Sequence, residues 1–112
     1  MEIKVSKTTE NVYIIEPIGS LDLCSSNILK DKIMKMIEVK AIHFILNLNE
    51  VDNINSAGIG ALIYIFSTLR KINCPLVLVV KDGPVLQALE LTRLKGYFTV
   101  VKTLEEAISI AS

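Results

Sequence analysis

The chain has 112 residues, about three quarters of a nominal 150-residue domain, so a single domain over 1–112 is expected and two independent cores are excluded. Hydrophobic residues make up 51% and charged residues 21%, with three prolines, a balance that excludes a disordered chain. Twelve Lys and Arg offset twelve Asp and Glu, which leaves no electropositive footprint for direct contact with nucleic acid.

Ile3 and Val5 alternate with Lys4 and Ser6, and Val12 to Ile15 form a β-branched run. Thr8, Thr9, Glu10 and Asn11 lie between them as turn residues, so the chain opens on a hairpin. Gly19, Ser20 and Asp22 interrupt the pattern, after which Leu29, Ile33, Met36 and Ile37 recur at helical spacing, with Ser25 or Ser26 as N-cap. The run at 41–49, AIHFILNLN, is short and almost wholly apolar, as in a strand covered on both faces. Asn49, Glu50, Asp52, Asn53 and Asn55 then mark a loop.

A second helix is predicted from Ser56 to about Lys71, then a strand at 76–80 and a turn at 81–84 in which Pro84 suits a first helical position. Val85, Leu86, Leu89 and Leu94 predict a helix over 84–94, stopped by Gly96 in a left-handed conformation. A strand at about 98–101 precedes a last helix that opens on a capping box, Thr103-Leu104-Glu105-Glu106, and runs to about Ala111. The order ββαβαβαβα predicts an α/β fold: a mostly parallel central sheet with an N-terminal hairpin strand, covered by about four helices.

Cys24 and Cys74 are too few for a disulfide scaffold, and with His43 as the single histidine no metal-ligand spacing exists. No stretch of about 20 apolar residues occurs, and the N-terminal segment lacks the apolar core of a secretion signal. A cytoplasmic protein without membrane insertion is expected.

The segment Val51-Asp52-Asn53-Ile54-Asn55-Ser56-Ala57-Gly58-Ile59-Gly60 joins an inner strand to a helix start, a place that suits ligand and regulatory chemistry. Unpaired amides and the helix dipole there would tolerate a phosphate on Ser56. Equally, Asn55 or Ser56 could simply cap the helix. Gly58 and Gly60 each cost about 0.8–1 kcal/mol inside a helix. Either the helix packs closely on another backbone, or a partner's backbone approaches Ser56 there.

A dinucleotide fingerprint fails, because Ile63 stands at its third glycine position, and no Walker-type loop occurs. Ile59, Leu62, Ile63, Phe66 and Leu69 form one stripe of this helix; Ala61, Tyr64, Ile65 and Thr68 form another. The second stripe either buries against a neighbouring helix or is an exposed docking surface beginning beside Ser56.

His43 reads as a core histidine, Met34 and Met36 as core filler, and Lys30, Lys32, Lys35 and Lys40 with Asp31 and Glu38 as a solvated helix face. Without paired carboxylates, a Cys–His pair or a nucleophile elbow, the residues give no support to an enzyme, and no cofactor is expected.

Gly19-Ser20-Leu21-Asp22, Ile45-Leu46-Asn47-Leu48-Asn49-Glu50-Val51-Asp52 and Asn55-Ser56-Ala57-Gly58-Ile59-Gly60 together resemble STAS domains, and among them the stand-alone bacterial anti-sigma factor antagonists, over about Ile3 to Ile110. The resemblance implies a transcription regulator that binds an anti-sigma factor serine kinase when bare. It is released when that kinase phosphorylates the serine matching Ser56, and is restored by a metal-dependent serine phosphatase.

The acidic residue of the family's Gly-x-Leu-Asp pattern falls on Asp22, which could alternatively cap the next helix. With the second stripe of the helix read as a docking surface, the expected partner-binding set is Asp22, Asn55, Ala57, Gly58, Ile59, Gly60, Ala61, Tyr64 and Ile65. Where family members often have Asp before the serine and Ser or Thr after it, this chain has Asn55 and Ala57. Those departures keep open a structural STAS subunit of a larger lipid-transport or stress-sensing assembly that needs no phosphorylation. A nucleotide-binding module using the amides near Gly58 is a third reading, weakened because no basic residue lies close in sequence.

Overall fold

A computed structural model describes residues 1–8, 11–38 and 43–111 of the chain. The opening hairpin pairs β1 (Glu2–Lys7) with β2 (Val12–Leu21) antiparallel. Thr9 and Glu10 of its expected turn lie outside the described residues, while Asn11 adopts a positive φ of 62°. Helix α1 (Leu23–Glu38) follows, then β3 (His43–Asn47), β4 (Val51–Ile54), α2 (Ser56–Lys71), β5 (Leu76–Val79), α3 (Pro84–Leu91), β6 (Val100–Val101) and α4 (Leu104–Ala111). Among the described residues six strands form one mostly parallel sheet in the order β1-β2-β3-β5-β6, with β4 paired to β2.

Alternating side chains along β3 and β5 divide the core into two layers. Phe44, Leu46, Leu76 and Leu78 meet Leu29 and Ile33 of α1, Leu62, Ile65 and Leu69 of α2, and Leu86 and Leu89 of α3. Ile45, Val77 and Val79 point to the other face, where Ala107 and Ala111 let α4 lie close. Each buried Leu or Ile contributes about 1.5–3 kcal/mol of hydrophobic transfer, so the three-helix face supplies most of the stabilisation. No helix of the described residues is long and apolar enough to cross a membrane.

Three local expectations change. The polar run at 49–55 contains β4, because Val51 and Ile54 bury while Asp52 and Asn53 face solvent. To reach it, β2 runs on past Ile18 and exchanges β3 for β4, with Gly19 at φ 108° beside an irregularity in the pairing. Only glycine adopts that backbone without strain.

The end of α3 is also set differently. Arg93, at φ 60°, supplies the left-handed residue, with its amide on the Glu90 carbonyl and the Leu94 amide on the Leu89 carbonyl. This double bond pattern ends the helix before Gly96 is reached. Finally, in the box opening α4 the Thr103 hydroxyl accepts the Glu106 amide as expected, but the Glu106 carboxylate accepts the Thr103 hydroxyl.

Candidate functional site

Leu21 at the end of β2 is in parallel register with Ile54 at the end of β4, and the Asn55 amide donates to the Leu21 carbonyl at 3.2 Å. One residue further on, each strand turns into a helix, so α1 and α2 start side by side. The cap of α1 is Asp22, not Ser25 or Ser26: its carboxylate accepts the Ser25 amide at 3.0 Å. The Ser25 hydroxyl in turn accepts the Asp22 amide at 2.9 Å and donates to the Ser20 carbonyl at 2.6 Å.

The bond from the Ser25 amide, followed by the approach of its hydroxyl to the same carboxylate at 3.1 Å, holds the Asp22 carboxyl below its ordinary value of 3.8. A lowered acid stabilises the fold above its unfolded value, and that contribution is lost as pH falls through the lower, folded value. Thermal melts should therefore show Asp22→Ala less stable than wild type at neutral pH. The gap should narrow once the pH drops below 3.8.

At α2 the cap is Asn55, in extended geometry, whose side-chain oxygen accepts the Gly58 amide at 3.1 Å. The side-chain cap is thereby made without Ser56. Ser56 is the first residue of the helix; it is exposed, and its hydroxyl has no hydrogen bond among the described residues. It stands next to the unpaired amides of a helix start and two residues beyond Ile54 of the Leu21–Ile54 register pair.

The two glycines of the motif have different causes. A Cβ on Gly58 would lie 2.6 Å from the Leu21 carbonyl oxygen and 2.7 Å from Ile54 Cγ1, whereas a Cβ on Gly60 would meet nothing within 4 Å. Gly58 is required by packing inside the chain; Gly60 is not. Gly58→Ala is expected to lower stability by about 1–3 kcal/mol through overpacking. Gly60→Ala should raise it by about 0.8–1 kcal/mol, the helix-propensity difference. Urea melts of the two variants check both signs.

The second stripe of α2 is split. Ala61 and Ile65 are buried, with Ile65 at 0% exposure and part of the main core cluster. Burial removes both from the expected partner-binding surface. Tyr64 is 51% exposed, and Lys30 of α1 lies 5.2 Å from its ring centroid. Ile59 and Ala57 are half-buried and Asn55 is exposed. The accessible surface beside Ser56 thus comprises Asp22, Asn55, Gly60 and Tyr64.

Two features escaped the sequence. Leu23, the first residue of α1, is 65% exposed next to Asp22, and the Ser20 hydroxyl donates to Asp52 at 3.1 Å. The Ser20–Asp52 contact spans 32 residues and needs the β2–β4 pairing, so only recognition of β4 as a strand could have found it. Elsewhere, Asn47 and Asn49 of the second motif are structural: the Asn47 side chain accepts the Asn49 amide and donates to Glu16, and Asn49 accepts the Lys81 amide.

Comparison with curated proteins gives no match. Among solved structures, an anti-sigma factor antagonist from Mycobacterium paratuberculosis has a TM-score of 0.88 at 19% identity, covering 98% of this chain and 92% of that one. The Bacillus cell fate determinant SpoIIAA in its phosphorylated form has a TM-score of 0.74 at 20% identity, covering 99% and 100%. A sulfate transporter family protein from Wolinella succinogenes reaches 0.80 at 20% identity, covering 95% and 88%. At these identities the likeness is one of fold. The STAS domain model matches residues 4–107, nearly the whole chain, and the chain therefore belongs to the STAS domain family.

Proposed function

We propose that this chain is an anti-sigma factor antagonist that works by partner switching, with Ser56 as the phosphorylated residue. The observation that carries the reading is the free Ser56 hydroxyl: Asn55 performs the cap, and Ser56 remains exposed at the first helical position. Bare, the surface formed by Asp22, Asn55, Ser56, Gly60 and Tyr64 docks a serine kinase that is itself an anti-sigma factor, and the sigma factor is freed. Phosphorylated, the chain leaves the complex, and a metal-dependent serine phosphatase resets it. It performs no catalysis of its own.

Gly60 supports the docking role. A glycine that costs helix stability yet has open space around its missing side chain suits close approach by another backbone. The fold likeness to antagonists, one of them solved in a phosphorylated form, agrees with this use of the site.

Phosphate adds a charge of about −1.5 to −2 at neutral pH. In the free chain, water and the amides at the start of α2 accommodate it. In the complex it loses water and meets the acidic and nucleotide-phosphate groups that a kinase site gathers. Incubating the chain with ATP and cell extract, then mapping phosphate by mass spectrometry, should place it on Ser56. Phosphate on another residue, or none, would refute the reading.

A further inference from the structure

A cavity of about 390 Å³ opens at the opposite end of α2, lined by Phe66, Arg70, Cys74, Leu76, Thr99 and Ile110 among others. Its volume falls within the range of small-molecule sites, about 300–1,000 Å³. Fourteen residue steps along α2 separate Arg70 from Ser56, about 21 Å at 1.5 Å per residue, so this is a different surface from the docking site.

The floor is apolar and preformed. Phe66 is fixed by Tyr97 and Phe98, with ring centroids 5.1 and 5.2 Å away, and burial pushes the Cys74 thiol up to about 11. Ile110, 55% exposed, forms part of the rim. Among the described residues, Arg70 is the one ionic side chain that lines this space; it is exposed and forms no salt bridge with any of them. Its place in the last turn of α2 suits a cation but supplies no carboxylate to its guanidinium fork. Among the described residues, no acidic side chain lines the cavity.

We propose that this cavity binds a fatty-acid-type amphiphile, the acyl chain lying against Phe66, Leu76 and Ile110 and the carboxylate pairing with Arg70. Charge complementarity selects this occupant. A neutral apolar molecule would leave the guanidinium unused, and a cationic one would be repelled by it; a planar carboxylate matches it with two parallel hydrogen bonds.

The test is an NMR titration of the ¹⁵N-labelled chain with sodium dodecanoate below its micellar concentration, compared with 1-dodecanol and dodecylammonium. Saturable shifts at Leu76, Thr99 and Ile110, with Ser56 unmoved, are expected from dodecanoate. Arg70→Gln, an exposed and fold-neutral change, should weaken dodecanoate about tenfold and leave dodecanol unaltered. The proposal is overturned by absence of saturable shifts, by equal affinity for dodecylammonium, or by an Arg70→Gln chain that binds dodecanoate as well as wild type. Shifts given only by an acidic amphipathic peptide would also overturn it, assigning the cavity to a protein partner. None of these outcomes depends on phosphorylation of Ser56.

Discussion

Phosphorylation of Ser56 should weaken binding to a kinase-type anti-sigma factor about a hundredfold, equivalent to about 2.7 kcal/mol. A charge of nearly two units is brought to an interface where the bare hydroxyl needed little desolvation, and buried unpaired charge costs at least that much. Ser56→Ala should bind as tightly as the bare chain and stay bound when ATP is added. Ser56→Glu should fall between them, because it carries one charge and lacks the tetrahedral oxygens. Surface-bound kinase titrated with each form reads all three; ATP-driven release of Ser56→Ala at the wild-type rate would move the switch to another residue.

Ile65→Lys is expected to unfold the chain, whereas Tyr64→Lys, one residue earlier, should leave it folded. Ile65 is fully buried in the main core cluster, so lysine there forfeits about 1.5–3 kcal/mol of apolar burial and must also place an ammonium among aliphatic side chains. Together these losses are comparable to the whole stability of a small domain, about 5–15 kcal/mol. Tyr64 is half exposed and loses only a ring contact with Lys30, worth about 0.5–1 kcal/mol at such a site. Circular dichroism separates the two. If Tyr64→Lys then binds the kinase with unchanged affinity, docking does not use this part of α2.

Periodicity made most of the fold legible: α2 begins and ends where the apolar pattern and Asn55 place it, and the inner strands β3 and β5 follow from their apolar runs. What escaped depended on partners distant in sequence. Strand β4 has only two buried residues, Val51 and Ile54, too few for an alternating pattern to stand out from polar loop chemistry. The cap of α1 falls on Asp22 because β2 runs to Leu21 and the helix starts at Leu23, which places Ser25 and Ser26 inside its first turn.

For the site, residue type singled out Ser56 and the resemblance supplied the role proposed for it, but two stripes of similar composition on α2 carried no mark of which residues would be buried. Likewise the two glycines look alike in sequence. Only the position of the Leu21 carbonyl distinguishes Gly58 from Gly60.

That same carbonyl, which receives the Asn55 amide and abuts Gly58, clamps the first turn of α2 to the strand end that launches α1. These contacts hold Ser56 at a folded helix start, not in an extended strand. A kinase that acts on Ser56 as proposed would have to recognise that folded shape. A short synthetic peptide spanning 50–62 would lack that shape, making selectivity a property of tertiary structure instead of a linear consensus.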